Sequence, residues 1–107
     1  MSGFDDREKT FESKWAHDEQ LAFRVMARRN KLLGLWAAEL MGLGQAEADA
    51  YAKEVIASDF QEAGDEDVFR KVKGDLDAKG LEISDHRVRK HMQDLLEIAH
   101  AQIIKEQ

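Results

Sequence analysis

Apolar residues recur along most of this chain at steps of three and four rather than two, the period of helices that bury one face. Between Leu21 and Met41, Ala22, Val25, Met26, Leu33, Trp36 and Leu40 form one wide stripe and predict a long central helix. The "GLGQ" that follows ends it, because Gly42 and Gly44 can take the left-handed backbone that closes a helix. A second helix is predicted from about 46 to 60, with Ala48, Tyr51, Ala52, Val55 and Ile56 on one face. "GDEDVFRKVKGDL" restarts the chain over 65 to 78. There Asp65 serves as N-cap, Glu66 and Asp67 sit where the helix dipole favours negative charge, and Val68, Val72 and Leu76 point inward. After "AKG", Ser84 is placed to cap a fourth helix, 84 to 105, whose Val88, Met92, Leu95, Leu96, Ala99 and Ile103 again step by threes and fours.

Helices joined by short links predict an all-α fold, a small four-helix bundle over 21–107. Its core is expected to draw on Leu33, Trp36, Tyr51, Val55, Phe69, Val72, Leu95 and Leu96. Arg29 falls inside the apolar stripe, between Met26 and Leu33. A guanidinium buried without a partner would cost several kcal/mol, roughly 3–5, so a carboxylate must reach it, and the acidic segment from Asp59 to Asp67 is the best supply.

The stripe thins before Leu21. "FDDREKTFESKWAHDE", Phe4 to Glu19, sets Phe4, Phe11 and Trp15 among dense charge, in a chain whose aromatics are otherwise few. Extending the central helix backwards puts these rings on the side of Ala22, Val25 and Met26, so the register suits a helix. Three rings return less by burial than ordering the whole segment costs. Residues 1–20 are therefore expected to form a mobile N-terminal arm, flexible or partly helical, that folds into a groove on a partner. Phe4, Phe11 and Trp15 would anchor it, and Arg7, Lys9 and Lys14 would steer it electrostatically. The plainer alternative is a frayed helix resting on its own bundle.

At 107 residues the chain is one domain by length, and its net charge of −6 argues against a general nucleic-acid binder. It has neither cysteine nor proline, so nothing staples the fold or forbids long helices. "MSGFDDREK" carries no apolar signal region and "LLGLWAAELMGLG" is too short to span a bilayer, so no membrane insertion is expected. His86 and His91 are five residues apart and diverge on a helix, while His17 and His100 stand alone. "SDFQEAGDED" is rich in carboxylates but lacks the spacing of a calcium loop, and an acidic first turn explains it. With no phosphate loop, nucleophile elbow or acid–base pair, neither catalysis nor a metal is expected.

Arg24, Arg28 and Lys31 line up on the outer face of the central helix, with Leu35 continuing the row. A solvated face is the simpler reading of such a ridge, and a contact with an acidic surface or a nucleotide phosphate the more specific one.

The blocks "FDDRE", "KWAHD", "ARRNKLLGLWAAELMG" and "SDFQEAGDEDVFRKV", running from Phe4 to about Leu76, resemble the zeta subunit family of alphaproteobacterial F-type ATP synthases. The resemblance implies a four-helix bundle whose mobile N-terminal segment inserts at an α/β catalytic interface beside the γ rotor and blocks rotation in the ATP-hydrolysis direction. It implies the catalytic head as partner and a cytoplasmic location peripheral to the inner membrane. It also implies a monomer when free, no required cofactor, and weak ATP or ADP binding that could involve Arg24, Arg28 and Lys31. A stand-alone adenine-nucleotide-sensing or adaptor bundle is the competing expectation.

Overall fold

A computed structural model of the chain describes residues 3–59 and 65–107, with side chains from Glu19 onward. Helix α1 spans Gly3–Leu40, α2 Gln45–Ser58, α3 Glu66–Ala78 and α4 Asp85–Glu106, so the all-α four-helix expectation holds. The second to fourth helices begin and end within a residue or two of the periodicity, while Phe60, the expected end of the second, lies outside the described residues. The first differs. The helix expected at 21–41 is the C-terminal part of one that starts at Gly3. No proline interrupts the chain, and seven of the eighteen residues from Gly3 to Gln20 are Glu, Lys, Arg or Ala, which cost a helix little.

Positive φ values of 75° at Gly42 and Gly80 end α1 and α3 as expected. Gly44 does not share that role: its φ of −71° is ordinary, and it stands at the N-cap of α2. Ser84 caps α4, its hydroxyl accepting from the Arg87 N–H at 3.1 Å. Asp65 occupies the N-cap position of α3 without a side-chain cap bond, because its carboxylate is turned to Arg29 instead.

Helix α1 is the hub, with α2 and α4 packed along it and α3 closing the bundle. The stack of Trp36 on His91, ring centroids 4.1 Å apart, and the contacts of Arg28 with Gln102 and Glu106 set α4 antiparallel to α1. The main core joins Leu33, Ala37 and Ala38 to Tyr51, Val55, Val68, Phe69, Val72, Leu76, Val88 and Met92, with Trp36 and Leu95 half-buried at its edge. A satellite of Val25, Ala99 and Ile103 lies further along α1 and α4. Leu96, expected in the core, is 37% exposed, since the α4 stripe through Val88, Met92, Leu95, Ala99 and Ile103 leaves it one step off the buried side. Ala22 is likewise exposed.

Arg29 and Asn30 separate the two apolar clusters, each 1% exposed. Arg29 donates through Nη2 to Asp65 Oδ1 at 2.8 Å and through Nε to Asn30 Oδ1 at 2.7 Å. The partner thus comes from the acidic segment that the position of Arg29 in the stripe requires. Beside this pair, in the pocket that Arg29, Asp65 and Arg89 line together, Arg89 covers the Phe69 ring at 3.8 Å and forks onto both carboxylate oxygens of Glu66. The Arg89 hydrogen bonds and charge hold the Glu66 carboxyl below its usual range.

Helices α1 and α2 meet closely at Gly34, where an added Cβ would stand 2.7 Å from the Ala52 Cα and 3.2 Å from Val55 Cγ2. Gly34→Ala should therefore destabilise the fold by about 1–3 kcal/mol, because backbone must move to accept the methyl. Gly74→Ala in α3, with nothing within 4 Å of the new Cβ, should instead stabilise it by about 0.4–1 kcal/mol. Paired thermal melts check both signs.

Tyr51 is the sole tyrosine, buried, and donates to Asp75 Oδ2 at 2.8 Å. Burial first, then the hydrogen bond to Asp75 and the charge of that carboxylate, push the phenol far above its ordinary value near 10. The stability this contributes is present below pH 10 and is lost as pH rises beyond it, since the unfolded chain can release a proton that the folded one retains. An ultraviolet titration should show no phenolate through the free-tyrosine range, its appearance coinciding with loss of helical dichroism. A phenolate forming near pH 10 in folded protein would contradict this.

Candidate functional site

Between α1, α2 and α4 lies an open cleft of about 340 Å³ carrying Arg24, Arg28 and Lys31 along α1. Their steps of four and three place them on one side of the helix. Ala27, Ile56 and Ile103 supply apolar lining, and Phe23, 60% exposed, lies on the same cleft. The structure brings the three sequence-predicted cations together, but not on a bare outer face. Arg28, its side chain 24% exposed, faces α4: Nη1 donates to Gln102 Oε1 at 2.7 Å, and Nη2 to the two Glu106 oxygens at 2.8 and 3.0 Å. Arg24 approaches the same carboxylate at 4.0 Å. The wall of nonpolar side chains lowers the local dielectric and so strengthens whatever anion the arginines hold.

Sequence reasoning did not find Phe23, Gln102 or Glu106. Phe23 is off the apolar stripe, and the two α4 residues meet Arg28 only because the helices run antiparallel in one register. The spacing of Gln102 and Glu106, one turn apart near the end of a helix, was visible but named no partner.

On another side of α1, Leu21, Ala22, Val25 and Met26 with Leu96, Glu97 and His100 of α4 line an open, largely apolar groove of about 560 Å³. His91 is taken up in the Trp36 stack and His86 is exposed. Among the described residues no three His, Asp or Glu side chains group as metal ligands, and no helix is long and apolar enough to cross a membrane. The predicted anchors Phe4, Phe11 and Trp15 and the steering cations Arg7, Lys9 and Lys14 lie outside the residues whose side chains are described. Their backbone belongs to α1, which continues from Arg24, where the last turn of α4 reaches it, back to Gly3.

Comparison with known proteins agrees with the residues quoted above. No curated protein matches the chain. Among solved structures, a protein determined by NMR in solution is 50% identical over 79% of this chain and 96% of its own, with a TM-score of 0.71. The model of one family, described as ATPase inhibitor subunit zeta, matches residues 1–102 and so takes in α1 to α3 and all but the last turn of α4. This chain belongs to the ATPase inhibitor subunit zeta family.

Proposed function

We propose that this protein inhibits ATP hydrolysis by the F-type ATP synthase, residues 1–20 entering as a helix at a catalytic α/β interface beside the γ rotor and opposing rotation in the hydrolysis direction. One observation carries this reading beyond the family description: the arm and the bundle share a single helix, Gly3–Leu40, with no break at their junction. At a rise of 1.5 Å per residue that helix is about 57 Å long, within a molecule whose longest extent is 66 Å. Its C-terminal half is clamped by α2 and α4. A wedge that must resist a turning rotor needs such an anchorage, because a helix attached through a flexible link transmits no load. Phe4, Phe11 and Trp15 supply apolar contact in the catalytic interface, and Arg7, Lys9 and Lys14 guide approach to an acidic surface. The protein acts as a monomer in the cytoplasm, held at the inner membrane only through the enzyme it inhibits. It needs no cofactor.

The cleft of Arg24, Arg28 and Lys31 is proposed as a weak contact for ATP or ADP. Three cations on one side of a helix, beside an exposed aromatic ring, favour this over a purely solvated face.

Hydrolysis by the isolated catalytic head, measured with and without the purified protein, tests the main reading. Deleting residues 1–18 should abolish most inhibition while leaving the melting temperature little changed. Of the single changes in the arm, Trp15→Ala should weaken inhibition most, by about 2 kcal/mol of binding, the usual weight of a large aromatic anchor in a desolvated groove. Full inhibition by the truncated chain would place the inhibitory surface on the bundle.

Nucleotide contact at the cleft should weaken with added salt, because the cations are partly exposed and screened. Replacing Arg24, Arg28 and Lys31 together by alanine should remove nucleotide-induced NMR shifts. Undiminished shifts would move the site elsewhere.

A further inference from the structure

Glu106 sits where the ligand of a basic cleft would sit. Its carboxylate accepts two hydrogen bonds from Arg28, at 2.8 and 3.0 Å, and lies 4.0 Å from Arg24. Both oxygens are met by the one nitrogen Nη2, with Nη1 turned to Gln102, so the carboxylate occupies the charge-assisted donor that a phosphate oxygen would use. The position is otherwise a poor one for negative charge, since Glu106 belongs to the last turn of α4, at the negative end of the helix dipole. The arginines hold it there. Glu106 also lies beyond residues 1–102 that the family model matches, so that likeness assigns it no part.

We propose that Glu106 is an intramolecular competitor for the anion site of this cleft, and that a phosphate-bearing ligand binds by displacing it and releasing the last turn of α4. This rests on the reading of Arg24, Arg28 and Lys31 as a phosphate contact, and adds the device that keeps the contact weak. Both arginines lie within reach of Glu106, so a polyphosphate cannot take them while the carboxylate remains. Lys31 lines the same cleft and supplies the third positive charge that an incoming polyanion meets. Gln102 accepts from the other arm of Arg28, so the guanidinium keeps its orientation when Glu106 leaves. The exchange is of one anion for another on a guanidinium that Gln102 already orients, and its affinity is set by the difference between them.

The experiment is a titration of the full chain with inorganic tripolyphosphate at low ionic strength, read by NMR shifts of α1 amides and by hydrogen exchange of α4. Glu106→Gln should bind roughly three- to tenfold more tightly than wild type, the range expected for removing a partly exposed competing ion pair. Glu97→Gln neutralises a carboxylate on the same helix that lines the other groove, and should bind as wild type does. In wild type, binding should speed exchange in the last turn of α4. Equal affinities of wild type and Glu106→Gln, or unchanged exchange on binding, would overturn the competitor while leaving the phosphate contact intact. Equal tightening by Glu97→Gln would also overturn it, reducing the effect to net charge. If neither wild type nor Glu106→Gln bound tripolyphosphate, the phosphate contact itself would fall, and the competitor with it.

Discussion

A charged side chain at the centre of a small bundle constrains everything around it. Arg29 is 1% exposed, on the helix that all others pack against. A guanidinium there must keep its hydrogen bonds in the folded state, because an unpaired one would cost several kcal/mol, about 3–5, of a total stability that is rarely more than 15. Asn30 supplies one acceptor from the next residue, and Asp65 supplies the other from across the fold. The pair thereby fixes where the chain between α2 and α3 must return, and so the starting point of α3. It has a second consequence. Asp65 is half-exposed, its side chain at 48%, so water shares the carboxylate and the pair specifies position more than it adds stability. The same polar layer divides the apolar interior into the Leu33 cluster and the smaller Val25 cluster. The sections of α1 on either side of Arg29 are therefore held by different partners: α2, α3 and α4 on one side, chiefly α4 on the other.

Much of this was legible from local pattern. Apolar spacing located Leu33, Val55, Val72 and Met92, and the intrusion of Arg29 into the stripe pointed to a carboxylate between Asp59 and Asp67. That step worked because burial of a charge leaves few choices. Where several choices cost about the same, the sequence was less informative. Asp65 could cap α3 or pair with Arg29, and the deeper desolvation of Arg29 decided between them. Leu95 and Leu96 are neighbours of equal hydrophobicity, and only the direction of the α1–α4 contact says which faces inward. The start of α1 was not marked by apolar spacing, which left residues 1–20 flexible or partly helical. An apolar stripe marks the part of a helix that is packed, and the residues before Leu21 have helical propensity without a full stripe.

The candidate cleft was half visible. Arg24, Arg28 and Lys31 share one side of α1 by spacing alone, whereas Glu106 and Gln102 reach them through the antiparallel register of helices far apart in sequence. That register is set elsewhere, by the stack of Trp36 on His91 and by Val88 and Met92 in the main core. Since residues rise 1.5 Å each along both helices, fixing one end of α4 against α1 fixes the other end as well. The placement of Glu106 is thus a consequence of packing at the opposite end of the bundle, and a slip of one turn would carry it past both arginines.

Continuity of α1 bears on how an arm so poor in apolar residues can act as a helix at all. An isolated segment of its length is marginal in water, because the first turn fixes several residues for one hydrogen bond. A segment that extends an existing helix needs no such nucleus. Each added residue gains its backbone bond to a turn already in place, so the ordering cost that remains is that of propagation, which Glu, Lys, Arg and Ala meet almost evenly. The bundle, by clamping Leu21 to Leu40, thereby lowers the cost of helix formation in the residues that precede it. Such an arm has no need of a core of its own. In "FDDREKTFESKWAHDE" the Glu, Lys, Arg and Ala residues propagate the helix at little cost, and Asp5, Asp6, Thr10, Ser13 and Asp18, weaker formers, are carried by the turns already in place.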